Sequence, residues 1–194
     1  MNRHAWRPLL EQWSQEILAS DADYRQSLPE EVIASRWLGY PGATEEQIAA
    51  AEQRLGTRLP PSYREFLAVT NGWRRTTPFI DRLWSTEEIE WFPVRHQGWI
   101  DAWRQGAEAY ERTRSAGRTR SVDEDPLLQE LASALDISDV GDVAIYVLNP
   151  KATTLEGEWE AWFFSNWNPG AARHRSFWDL LLAEHETFLR LRQS

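Results

Sequence analysis

The chain has 194 residues, no cysteine and a formal charge of −9, with 42% of its residues hydrophobic and 26% charged. These figures fit an ordinary soluble globule large enough to bury a core, and they exclude disulfides and thiol catalysis. The acid surplus repels phosphate at long range, which argues against nucleic acid and favours a basic partner, although from charge alone a merely solvated acidic surface is the preferred account.

No apolar run reaches the length of a membrane span. The opening residues, MNRHAWRPLLEQWSQEIL, have no unbroken apolar stretch and include Glu11 and Glu16, which does not fit a secretory signal. A cytoplasmic protein without membrane association is the expectation. The abnormal count is twelve tryptophans, which can serve a core, an interface anchor or a sugar-stacking platform.

Trp6, Leu10, Trp13 and Ile17 recur at three- and four-residue spacing, predicting an amphipathic helix over 6–18. Ser27-Leu-Pro-Glu-Glu opens a second helix, with Val32 and Trp37 on its apolar side and Gly39-Tyr-Pro-Gly at its end. Residues 1–35 read as a helical extension packed on a domain running from 36 to 194; an oligomerisation arm is the other option. Thr44 and Gln47 form a capping box for a helix whose Ile48, Ala51 and Leu55 share a face, and Gly56 ends it. Leu59-Pro60-Pro61 turns the corner into a second helix carrying Tyr63, Phe66 and Leu67, stopped by Asn71-Gly72.

A polar loop is expected after Gly72, then Phe79 to Trp84, then a helical turn in which Ser85 and Glu88 make a second capping box. Trp91 and Phe92 read as strand. Trp99, Trp103, Ala107 and Tyr110 predict a helix that frays into ERTRSAGRTR. Its Arg112, Arg114, Arg118 and Arg120 have no aromatics among them, so a solvated loop is preferred to a nucleic-acid patch. Residues from about 95 to 138 read as a variable helical insert. Asp125-Pro126 starts a helix with Leu127, Leu128, Leu131 and Leu135 as its stripe.

Val143 to Leu148 is an unbroken apolar run, predicting a strand covered on both faces and ended by Asn149-Pro150. Glu158 to Phe164 predicts a second strand, with Trp159, Ala161 and Phe163 on one face and Glu160, Trp162 and Phe164 on the other. Asn166 to Gly170 is a turn. Ser176 caps a last helix with Phe177, Leu180, Leu181, Glu184 and Phe188 along one side. Helices first and last, with strands in the middle and late, define an α+β class: one domain, with a mixed or antiparallel sheet flanked by helices.

The sequence carries almost no catalytic motif. No nucleophile elbow, phosphate loop or dinucleotide fingerprint occurs. His185-Glu186-Thr-Phe-Leu189 puts Leu where zinc would need a second imidazole, and His4, His96 and His174 lack ligand spacing. Asp123-Glu124-Asp125-Pro126 lacks the glycine and distal glutamate of a calcium loop. Glu156, Glu158 and Glu160 share a face if the strand extends through them, but a glycosidase needs carboxylates opposed across a cleft. Neither enzymatic activity, cofactor nor metal is expected. Trp159, Trp162 and Trp167 keep a carbohydrate-binding module open as an alternative.

The spaced residues Ile48, Glu52, Leu55, Gly56, Leu59, Pro60, Tyr63, Phe66, Leu67, Asn71 and Gly72 resemble the signature of the SUKH superfamily. That superfamily holds the Smi/Knr-type yeast cell-wall regulators and many bacterial immunity proteins. Arg82 to Phe92 and Asp142 to Leu181 resemble further family segments. The resemblance implies a mixed sheet with helices around it, and a non-enzymatic protein that binds and neutralises a cognate polymorphic toxin, often a nuclease or other basic enzyme. A regulatory scaffold of the cell-wall type is the family's other implication. Neutralisation by occlusion would set carboxylates where substrate phosphates bind, with an aromatic anchor in a pocket. The candidate carboxylates are Glu87, Glu88, Glu90, Asp123, Glu124, Glu156, Glu158 and Glu160, with Trp91 as the anchor, on a monomer or weak homodimer.

Overall fold

Three helices precede the first strand: α1 (Trp6–Ser20), α2 (Ala22–Ser27) and α3 (Glu30–Ser35). The computed structural model describes residues 4–113, 126–141, 144–165 and 170–192. On α1, Trp6, Leu10, Trp13 and Ile17 are buried, as their spacing requires, and all four belong to the largest hydrophobic cluster. Burying one leucine of this kind contributes about 2 kcal/mol. α2 has no counterpart in the sequence reading; none of its residues is fully buried, Tyr24 packs half-buried against the main cluster, and Asp21 caps it by accepting from the Tyr24 N–H at 2.9 Å. α3 stops at Arg36, which adopts φ 54° and ψ 33°, so Trp37 lies beyond the helix instead of on its apolar side.

The corner that follows is built as expected. α4 (Glu45–Leu55) carries the full Thr44–Gln47 capping box and ends at Gly56 with φ 69°. α5 (Pro61–Val69) begins on proline and buries Ser62, Tyr63, Phe66 and Leu67. Glu52 ties the corner together, accepting from the Leu59 N–H at 2.8 Å and pairing with Arg64 at 2.6 Å. Tyr63 and Phe66 pack with Phe177, and Phe66 meets Trp6 edge-on.

The expected polar loop is instead a hairpin, β1 (Trp73–Thr77) and β2 (Ile80–Leu83), paired antiparallel. Trp73, Thr76, Thr77, Ile80 and Leu83 are buried, and the Thr76 hydroxyl meets the Tyr146 hydroxyl at 3.0 Å. A five-stranded antiparallel sheet follows, in the order β3 (Glu90–Trp91), β4 (Leu135–Asp136), β5 (Ala144–Thr153), β6 (Trp159–Ser165), β7 (Ala171–His174). Leu135 is thus a strand residue and not part of the stripe of α7 (Pro126–Leu131). Pro150 does not end β5: the strand runs on to Thr153 through a register shift after Asn149, where the missing proline donor breaks no ladder bond.

Residues alternate cleanly across the sheet. Tyr146, Leu148, Trp159 and Ala161 face the main core, with Phe163 packed against it. Ile145, Val147, Trp162 and Phe164 face a smaller core with Phe92, Ile100 and Leu131. The smaller core is covered by α6 (Phe92–Thr113), which starts seven residues before Trp99 and kinks at His96. α8 (Phe177–Leu191), capped by the Ser176 side chain, closes the other side with Phe177, Leu180, Leu181, Glu184 and Phe188 buried.

Candidate functional site

The N-terminal end of α4, the Asn71-Gly72 corner and the segment Ser85–Glu90 converge on one face. Gln47 serves twice there: its oxygen accepts from the Thr44 N–H at 2.9 Å, and its amide donates to Glu87 at 3.2 Å. Asn71 mirrors it, accepting from the Thr86 N–H at 2.7 Å and donating to the other Glu87 oxygen at 3.3 Å. Two side chains whose local task is to begin one helix and follow another therefore also aim one carboxylate. Beside it lies a cleft of about 310 Å3 lined by Tyr40, Gly42, Gln47, Asn71, Arg82 and Ser85.

Burial works to raise the Glu87 pKa, but its own backbone N–H, the Thr86 and Ser85 hydroxyls and Asn71 outweigh it, so the carboxyl sits below its ordinary range. Glu87 is exposed, and among the described residues no cation lies within ion-pair distance of it. Its neighbours differ. Glu88 accepts from Arg82 at 2.7 and 2.8 Å and from the Ser85 N–H and hydroxyl. Glu90 pairs with Arg54 at 3.2 Å and accepts from the Trp91 N–H. Trp91 packs against the main core and donates its indole N–H to the Leu55 carbonyl at 3.2 Å, so it is tied down and not a free anchor.

The three late glutamates do not share a face. Glu156 is exposed in the turn before β6, 3.4 Å from Arg175. Glu158 is buried and accepts from the Ser62 N–H at 2.9 Å and the Ser62 hydroxyl at 2.6 Å; it presents no surface to a partner. Glu160 lies on the opposite face, held by the Trp162 indole and Arg173. The turn at Gly157, with φ 85°, breaks the two-residue period that suggested a common face. Asp123 and Glu124 lie outside the described residues, as do Arg114, Arg118 and Arg120; the Arg112 side chain does too. Trp159 and Trp162 are buried, which removes two of the three rings of a sugar platform, and Trp167 is outside the described residues.

The sequence reading missed Tyr40 and Arg82 as part of this face, and assigned Gln47 and Asn71 to helix ends alone. Arg74 lies over the Tyr40 ring at 4.0 Å, while Arg82 and Arg95 lie over Trp84 at 5.3 and 4.9 Å. Stacked guanidinium and aromatic planes hold this wall rigid. Among the described residues three histidines pair with carboxylates, His4 with Glu65, His185 with Glu16 and His96 with Asp136; in the last, 3.0 Å apart, both partners are buried. Arg95 and the Ser138 N–H also bind that carboxylate, while the Ser138 hydroxyl serves the Asp139 carbonyl and the Tyr146 N–H. Arg95 and His96 thus join α6 to the sheet through Asp136, and Ser138 is engaged within the sheet. Among the described residues no three His, Cys, Asp or Glu side chains group to hold a metal, and no helix is long and apolar enough to cross a membrane.

These features define an α+β fold organised on a capped two-helix corner, with a carboxylate presented beside it. The chain belongs to the SMI1/KNR4 family (SUKH-1), whose family model matches residues 42–188. The family includes toxin immunity proteins. Among curated proteins none matches the chain.

Proposed function

We propose that this protein is a bacterial immunity protein, which binds a cognate polymorphic toxin in the cytoplasm and neutralises it by occlusion, without catalysis of its own. The observation that carries this reading is Glu87. Neutral amides orient its carboxylate without discharging it, so its full charge is left for a lysine or arginine of the partner. Glu88 and Glu90 brace the segment from behind through Arg82 and Arg54. Glu46, exposed in the first turn of α4, and the net charge of −9 add long-range attraction for a basic enzyme. Glu156 is a second accessible acid; Asp123 and Glu124 belong to the same proposal.

The family match starting at residue 42 supports reading the N-terminal helices as a layer added to a domain of residues 36–194. The protein acts as a monomer or weak homodimer in this reading. The test is co-expression with the C-terminal domain of the protein encoded beside this one. That domain should kill cells alone, and this chain should rescue them as a stable complex that Glu87→Arg abolishes. A harmless neighbour, or rescue without a complex, overturns the reading.

A further inference from the structure

The N-terminal helices hold a groove of about 320 Å3 lined by Gln15, Leu18, Ala19, Arg25, Ile33 and Arg36. Its floor is apolar: Leu18 is buried, while Ile33 is one of the few large aliphatic side chains left exposed. Two guanidinium groups flank that floor and no acidic residue lines it. Most arginines described here are spent inside the molecule, as Arg54, Arg64, Arg75, Arg82, Arg95 and Arg173 are. Arg25 and Arg36 are not: among the described residues neither side chain has a hydrogen bond or ion pair.

Arg36 adds a second observation. It is the residue other than glycine, among those described, that takes a positive φ. At the end of α4 the same left-handed conformation is filled by Gly56, the residue that suits it best. A long cationic side chain at the end of α3 therefore carries a conformational cost that no side-chain hydrogen bond or ion pair offsets among the described residues.

We infer that this groove docks an acidic, amphipathic segment of a protein partner, with carboxylates on Arg25 and Arg36 and an apolar side chain on Leu18 and Ile33. Charge complementarity selects the occupant: two unpaired cations around an apolar floor, on a chain whose net charge is −9, fit a ligand opposite in charge to the one Glu87 fits. The groove lies wholly within residues 15–36, ahead of the matched family segment at 42–188. It stands whether or not the toxin reading does.

The test is to pan a displayed random-peptide library on the full-length chain and titrate an enriched synthetic peptide by fluorescence anisotropy. Enriched peptides should place Asp or Glu beside Leu, Phe or Trp. Arg25→Glu and Arg36→Glu should each weaken binding on the order of tenfold, and added salt should weaken it further. Arg36→Gly separates binding from folding: it should weaken the peptide while leaving Tm equal to or above the parent's. Enrichment of non-acidic peptides, equal binding by the reversed variants, or no binder at all overturns the inference. A dimer of the parent chain that Arg36→Glu dissociates would assign the groove to a second copy, and overturns it as well.

Discussion

Glu158 caps α5 from far along the chain, accepting both the N–H and the hydroxyl of Ser62, 96 positions earlier. The helix start Pro60-Pro61 supplies no side-chain acceptor of its own. Glu158 fills that vacancy and fixes the approach to β6 against α5. Glu158→Ala leaves the buried Ser62 donors without their partner and should destabilise the fold by about 2–3 kcal/mol. Glu158→Asp, one methylene shorter, should recover only part of that in denaturant unfolding. An effect on partner binding without loss of stability would contradict the assignment.

Glu87 predicts the opposite pattern. Glu87→Gln keeps the shape and one of the two acceptors and removes the charge; because the site is exposed, Tm should fall only slightly while partner affinity falls about tenfold to a hundredfold. The carboxyl's lowered pKa keeps it ionised as pH falls to the ordinary glutamate pKa, so complex formation measured by calorimetry should persist there. Loss of binding near the ordinary carboxylate pKa would show that another acid carries it.

Glu184 is buried between α8 and the sheet, and burial raises its pKa although the Tyr146 hydroxyl, 2.6 Å away, opposes the rise. In the folded state this group binds a proton more tightly than in the unfolded chain. Stability is therefore highest below the ordinary glutamate pKa and declines as pH climbs through the raised value. Glu184→Gln should flatten that decline in a Tm series from acid to neutral pH. An unchanged slope would place the pH dependence elsewhere.

Gly42 and Gly56 are predicted to respond unequally to alanine. A Cβ on Gly42 would stand 2.1 Å from the Ala68 carbonyl, beneath the candidate cleft, so the backbones of the corner must part. A Cβ on Gly56 meets nothing within 4 Å, and only its φ of 69° is unfavourable. Gly56→Ala should cost about 1 kcal/mol and Gly42→Ala more than about 2 kcal/mol, measured by urea unfolding.

The capped corner was legible because its signals are local: the Thr44–Gln47 box, Gly56 and Pro61 each act within a turn of their own position. The two faces of β6 were legible because Trp159 to Phe164 alternates without a break. The hairpin was not. Trp-Arg-Arg-Thr-Thr at 73–77 looks polar, and its threonines are buried by contacts such as Thr76 with Tyr146, which lie far along the chain. The acids divide on the same ground. Glu87 and Glu88 are adjacent and chemically identical in the sequence, yet Arg82 takes one and only neutral donors take the other. Glu158 looked like a surface acid because the turn at Gly157, and its contact with Ser62, follow from tertiary packing.

Trp6, Leu10, Trp13 and Ile17 sit in the same hydrophobic cluster as Tyr63, Phe66 and Tyr146, although the family segment starts only at residue 42. The smallest autonomous folding unit of this protein is therefore expected to be larger than its homologous segment. A fragment trimmed to residues 42–188 would bare the aromatic surface on which α1 rests, and it should be recovered as aggregate where the whole chain is recovered in solution. α1 thus supplies part of the core on which the matched segment rests, whether or not its groove meets a ligand.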